Sequence, residues 1–432
     1  MQRHSIHLQS SAWYDEKAIA LEFPDHWTIQ VLGDQSLPAL SDEAIRDRLL
    51  APIASPPLVE LARDRQRAAI LLDDLSRPTP TAQILPALIA ELFKAGLQPD
   101  QITLVITSGT HAPASAEAIQ KKVGPGLPPG IQIIPHDASG PMTYLGKTRS
   151  GTPLYLNPAV LACDLRIGLG CIYPHPSAGF SGGAKALVPG VAGAETIRYL
   201  HDHFRGPQQR GGSVENEFRG EVERITSQIG LDFIVNTTLN QQRQISTLFA
   251  GDMLQAFRQG VSQVRKAYAV ETPMDADITI ADMYPFDADL QFAADRGMWP
   301  LEFAPRDSSR VILAACPAGL GTHSLFPLKK SFWVRLERRI KHFNWRDIKS
   351  LPYRLGAAYR LLSRKNFPFM MVAPGLNQEQ LKAAYPAGVL FHDWASARAS
   401  LEQKHPGRQV KVCLYRCAPL MLPQNTTTGY NP

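Results

Sequence analysis

The sequence predicts an α/β architecture of two α/β domains with mostly parallel sheets, on three observations. Short apolar runs rich in β-branched residues recur along the chain, most of them end in polar or Gly/Pro-rich turns, and some of those turns lead into helical patterns. That rhythm belongs to parallel sheets joined by crossover helices. At 432 residues and 44% hydrophobic composition, the chain is long enough to divide its buried core between two domains.

The first run, Ala68 to Leu72, is followed by Asp73-Asp74-Leu75-Ser76-Arg77-Pro78-Thr79-Pro80 and an apolar helix through Gln83 to Lys94. Next, Ile102 to Ile106 leads into Thr107-Ser108-Gly109-Thr110-His111 and a helix from about Ser115. A third run, Leu165 to Leu169, precedes the long loop Gly170 to Gly193. If these strands are neighbours, their loops converge outside the carboxyl ends of the sheet, where such folds bind ligands. A helical segment, Phe249 to Ala269, closes the region, and Glu271-Thr272-Pro273 reads as a hinge. The pattern then restarts with Asp277 to Ala281, Val311 to Ala315, Phe369 to Ala373 and Val389 to Phe391.

The expected domains are therefore residues 1–270, with a C-terminal segment from about 406 to 432 able to pack back on it, and a smaller domain over 274–405. Between strands of the second lies Leu328 to Arg364, rich in Arg, Lys and aromatics. Its charges recur at helical spacing with apolar residues between them, which favours a solvated amphipathic helical pair over an RNA-binding insert. The tail after Leu422 reads as disordered.

Composition mainly excludes. A net charge of +6 is small for this length, and without a long Lys/Arg run or zinc-finger spacing it suits a small anionic ligand better than nucleic acid. The five cysteines, Cys163, Cys171, Cys316, Cys413 and Cys417, show no C-x-x-C and form neither a disulfide framework nor a structural zinc site. Met1 to Asp15 carries His, Gln, Ser and charge where a signal peptide needs an apolar run, and no apolar stretch is long enough to span a bilayer. The expectation is a soluble cytoplasmic protein with neither a membrane nor a nucleic-acid partner.

The chemistry gathers in loops. Tyr173 to Gly193 combines His175, Ser177, Ser181 and Lys185 with glycines that allow close backbone approach; Lys185 offers a cation or amine nucleophile, and His175 titrates near neutrality. No Ser or Thr follows Lys185, so this is not a phosphate-binding P-loop, and Gly146-Lys147-Thr148 lacks the glycine it needs upstream. On a helix beginning near Gly193, either His201 or His203 offers a metal a neutral imidazole, whereas their i, i+2 spacing argues against chelation by both. His111 sits at one strand exit and Asp74 and Arg77 at another, with a structural Arg77 to Asp73 or Asp74 salt bridge as the plain alternative. Taken together, Asp74, Arg77, His111, His175, Lys185 and His201 suggest an anionic small-molecule site with two acid/base candidates.

In order and spacing, these segments resemble the nickel-pincer-nucleotide-dependent lactate racemase family over most of the first two-thirds of the chain. The resemblance implies an isomerase that racemises or epimerises a small anionic 2-hydroxy acid. It also implies a cofactor, nickel pyridinium-3,5-bisthiocarboxylic acid mononucleotide (the nickel-pincer nucleotide), seated at the interdomain cleft and made by cofactor-biosynthesis proteins. By position, Asp74, Leu75, Ser76 and Arg77 match the cofactor-binding turn, Lys185 the lysine that can be joined to the cofactor, and His201 the nickel ligand. His111 and His175 match the catalytic pair, and Arg77 also stands near the substrate. Moving a hydride to the cofactor avoids a carbanion beside a carboxylate and leaves a flat keto acid; two histidines on opposite sides then serve the two enantiomers.

The family's substrate Gln and Lys fall where this chain has Pro285-Phe286-Asp287-Ala288-Asp289-Leu290-Gln291-Phe292-Ala293-Ala294-Asp295-Arg296, and a one-residue shift is needed to align them. Gln291 is the candidate for the Gln and Arg296 for the Lys, so a 2-hydroxy acid other than lactate is expected. Two other functions stay open: another enzyme class using the same cofactor, hydro-lyase or dehydrogenase-like, and a non-catalytic cofactor-binding protein.

Overall fold

The structure is a computed structural model that describes residues 4–33, 37–206, 213–321, 368–407 and 409–424; the Leu328 to Arg364 segment and the end of the tail lie outside the described residues. The chain divides into two compact units. One runs from Gly33 to Val270 and takes up the segment from Leu420; the other joins Met1–Leu32 to Glu271–Pro419.

In the larger unit the six-stranded sheet has the order Ile245–Gly251, Phe233–Leu239, Leu165–Cys171, Ala68–Asp73, Ile102–Thr107, Gln132–Pro135. Every neighbouring pair is parallel except the Ile245–Gly251 edge. The three strands read from the sequence are therefore adjacent, with Ala68–Asp73 in the middle. Ala68 to Leu72 is buried throughout, which a strand covered on both faces requires and which explains its unbroken apolar run. The helix Thr81–Lys94 follows the first strand, and the helix Ala116–Val123 follows the second, its N-cap Ser115 accepting from the Ala118 amide at 3.2 Å.

The expected helix from Phe249 to Ala269 is corrected at its start. Phe249 and Ala250 are extended in the edge strand, paired with Asn236 and Val235, and the helix is Gln255–Ala267. Two local features separate strand from helix. Gly251 adopts φ +128, and a side chain there would meet the Ile53 carbonyl oxygen at 2.3 Å. Just after it, the Asp252 carboxylate accepts the Leu254 and Gln255 amides at 3.0 and 2.8 Å, an N-terminal cap.

The second unit carries a six-stranded, wholly parallel sheet in the order Gly388–Phe391, Phe369–Val372, Ser309–Leu313, Ile278–Asp282, Val410–Tyr415, Trp27–Leu32. Its last two strands move the expected domain boundaries. Trp27 pairs with Val410, so residues 1–32 leave the domain expected over 1–270, and only the segment from Leu420 returns to the larger unit. An antiparallel hairpin of His4–Ser10 and Lys17–Phe23 packs Leu8, Leu21 and Phe23 into the same core as Ile278, Val311 and Val412. The Trp394 indole stands 5.1 Å from the Phe23 ring and donates to the Glu22 carbonyl at 2.8 Å.

Asp287 ties this hairpin down. Its buried carboxylate accepts the Ser11 amide at 2.7 Å and the Ala12 amide at 3.1 Å. Replacing it would leave two buried donors without an acceptor, each costing about 1–3 kcal/mol. Asp287→Ala is therefore expected to lower stability by about 2–4 kcal/mol in a denaturant titration; an unchanged midpoint would contradict this assignment.

Candidate active site

Three loops leave the carboxyl ends of three adjacent parallel strands, and each is held by identifiable bonds. The first begins at Asp73, the last residue of the central strand. Asp73 pairs with the Lys122 ammonium at 2.5 Å and accepts from the Thr79 hydroxyl at 2.5 Å. Lys122 is fully buried and also donates to the carbonyls of Arg77 and Thr79, each at 3.1 Å, which pins the turn from both ends. Burial raises the Asp73 carboxyl above its ordinary value, against the pull of Lys122.

Asp74 is the next residue. Its Oδ2 meets His111 Nδ1 at 2.6 Å, and its Oδ1 accepts the Ser76 amide at 3.1 Å together with the Ser76 hydroxyl. Desolvation works to raise this carboxyl, but the charge and hydrogen bond of His111, with Arg77 and Ser76, hold it well below the usual carboxylate range. It is an anion at every physiological pH. Arg77 follows, its Nη1 donating to the Ser76 hydroxyl at 3.0 Å. Burial disfavours its charge, yet Tyr173, Asp74 and Asp73 raise its pKa further. The sequence-predicted Asp74, Ser76, Arg77 and His111 are thus one hydrogen-bonded group, with Leu75 half-buried inside its turn.

The third loop pairs Pro174–His175 with Gly179–Phe180 before a single 3-10 turn, Gly183–Ala186, that carries Lys185. His175 is buried, and its Nδ1 accepts the amides of Ser177 at 3.1 Å and Ala178 at 3.3 Å. The Gly109 amide donates to the Gly190 carbonyl at 3.1 Å, joining the His111 loop to this one. Gly190 has no room for a side chain, since a Cβ there would lie 2.2 Å from the Ala186 carbonyl oxygen.

His201 lies on the helix Ala194–His203. Its Nδ1 donates to the Ile197 carbonyl at 2.8 Å, and burial, with a further push from Lys185, lowers its pKa. The ring is therefore a neutral imidazole with its lone pair on Nε2, the form that ligates metals. His203 instead stacks on Tyr199 at 3.8 Å between ring centroids. Gln291 and Arg296 are both buried, on the helix Leu290–Gly297 of the other unit. Among the described residues, no group of three or more His, Cys, Asp or Glu stands ready to hold a metal ion.

Sequence reasoning missed Lys122, Asn236 and Arg219. Asn236 accepts the Gly183 amide at 2.8 Å. Arg219, wholly buried, donates to the carbonyls of Ala178 at 3.3 Å, Gly182 at 3.1 Å and Phe180, and its guanidinium lies 4.3 Å from the Phe257 ring centroid. Burial lowers its pKa to about 9, against the opposing pull of Glu223. Replacing it would orphan three buried carbonyls, so Arg219→Met is expected to cost about 2–5 kcal/mol and to expose residues 178–183 to limited proteolysis. Unchanged stability and an unchanged cleavage pattern would show that the loop does not need it.

Comparison with known proteins shows the family. Residues 14–212 match the family model described as the lactate racemase N-terminal domain, a stretch that includes every site residue from Asp74 to His201 but neither Gln291 nor Arg296. The chain is 30% identical over 314 residues to a lactate racemase of Lactiplantibacillus plantarum, covering 70% of this chain and 73% of that one. It is 28% identical over 324 residues to a lactate racemase of Thermoanaerobacterium thermosaccharolyticum, covering 72% and 76%. A solved structure of the lactate racemase apoprotein from the latter organism superposes with a TM-score of 0.75 at 22% identity, covering 98% of this chain and all of that one. A Thermotoga maritima protein shares the fold, with a TM-score of 0.64 at 16% identity and 90% and 99% coverage. The chain belongs to the lactate racemase family of isomerases.

Proposed function

We propose that the protein racemises or epimerises a small 2-hydroxy acid at the three strand exits, with a nickel-pincer nucleotide as cofactor. The observation that carries this reading is the Asp74–His111 pair, joined through the Gly109–Gly190 hydrogen bond to the loop that bears His175 and Lys185. The residues fit the cofactor. His201, held as a neutral imidazole by its Nδ1 hydrogen bond, would offer Nε2 to the nickel of such a cofactor. When bound, the nucleotide supplies a hydride acceptor, which spares the reaction a carbanion beside a carboxylate.

The chain's own residues do the rest. Lys185 anchors the cofactor, and the turn Asp74, Leu75, Ser76, Arg77 cradles it. Arg77, a permanent cation, pairs with the substrate carboxylate and orients it. His111 and His175 take the hydroxyl proton and return it on opposite sides of the keto acid. Gln291 and Arg296 bind the remainder of the substrate, which we take to be larger than lactate or to carry a second polar group. Cofactor-biosynthesis proteins belong to the same reading. No helix among the described residues is long and apolar enough to cross a membrane.

Nickel analysis of protein made in cells that synthesise the cofactor tests the metal assignment. Wild-type protein is expected to retain nickel and His201→Ala to lose it; full retention in that variant contradicts the ligand. His111→Ala and His175→Ala are each expected to reduce turnover by at least about 100-fold while nickel content stays close to wild type. Unchanged rates in either variant would remove that histidine from the reaction.

A further inference from the structure

We infer that the two histidines of the site are held in opposite tautomers in the resting protein, His111 with its hydrogen on Nδ1 and His175 with its hydrogen on Nε2. This rests on the reading of both residues as acid/bases, and it makes Asp74 the positioning residue of His111. His111 Nδ1 faces the Asp74 carboxylate at 2.6 Å, an acceptor-only group whose other oxygen is taken by Ser76. The hydrogen must therefore lie on Nδ1, and in the neutral imidazole, the form that acts as a base, the lone pair falls to Nε2. The charged groups around this pair include Arg77, through Ser76, and Asp73 of the same turn, with Lys122 reaching Asp73 from the helix Ala116–Val123.

His175 is held by the reverse polarity. Two backbone amides, those of Ser177 and Ala178, point at its Nδ1 from 3.1 and 3.3 Å. An N–H cannot donate to a nitrogen that already bears hydrogen, so Nδ1 keeps its lone pair and Nε2 carries the hydrogen. Neither the base form with its lone pair on Nε2 nor the imidazolium is compatible with these two contacts.

The two histidines are consequently unequal at rest. His111 accepts a hydroxyl proton at Nε2 directly. His175 begins as a hydrogen-bond donor to the substrate oxygen; to accept a proton at Nε2 it must first release its Nε2 hydrogen to solvent water and take one from solvent water at Nδ1, with no net change in charge and with loss of the Ser177 and Ala178 contacts, and it then returns the accepted proton from the imidazolium. The enantiomer whose hydroxyl faces His175 therefore meets an additional step. For two enantiomers of equal energy kcat/KM is equal in the two directions, so the asymmetry falls on kcat and KM separately.

The test is nitrogen NMR of the full chain, labelled with 15N-histidine and free of cofactor, with His111→Gln and His175→Gln used only to assign signals. The expected spectrum has His111 protonated on Nδ1 and His175 protonated on Nε2 alone. Asp74→Ala removes the acceptor and should shift His111 toward the Nε2–H form, whereas Asp74→Asn keeps an acceptor oxygen and should retain the Nδ1 hydrogen; His175 should be unmoved in both. The same tautomer in both histidines, a hydrogen on His175 Nδ1, or a His111 pattern indifferent to Asp74→Ala overturns the inference. Because no turnover is read, a failure here is separable from a failure of the racemase reading.

Discussion

The buried carboxylate of Asp74 is the constraint on which the rest of the site depends. It stands one residue beyond the central strand with both oxygens engaged, so anything else that joins the site must be brought to it. Parallel pairing does this. Asp73 is in register with Thr107, which sets the start of the Asp74 turn level with the start of the Ser108–His111 loop. The third loop leaves the strand on the other side of the centre and is fastened to the second through Gly190. A one-residue slip between the first two strands would part Asp74 from His111.

Two buried cations do comparable work on the loops themselves. Lys122 holds the carbonyls of Arg77 and Thr79, and Arg219 holds those of Ala178, Phe180 and Gly182. Each charge is stabilised by backbone oxygens together with a carboxylate, Asp73 or Glu223. The loops bearing Asp74, Arg77, His175 and Lys185 are therefore tied to the fold by the chain's own buried bonds.

Much of this was legible in the sequence where the signal is local. Strand exits, the helix from about Ser115 and the helix that carries His201 follow from apolar runs and turn chemistry, and the resemblance assigned roles to the same residues. What was not legible depends on pairing across the chain. The strand Trp27–Leu32 acquires its place only by lying beside Val410–Tyr415. Lys122 and Arg219 sit on amphipathic helices, where a charge reads as a solvated face, and only the fold reveals that these two are buried. The apparent helix from Phe249 misled because a short apolar run has no period of its own; the break at Gly251 and the Asp252 cap decided the matter.

The central claim is that these strand exits invert a 2-hydroxy acid without net oxidation. Chiral chromatography of the nickel-loaded protein incubated with single enantiomers, across a panel of 2-hydroxy acids, tests it most directly. For at least one acid the account predicts that either enantiomer alone runs to the same equal mixture, with no keto acid accumulating and no oxidant consumed. One-way conversion to a keto or dehydrated product, or no inversion across the panel by protein that carries its nickel, would contradict it.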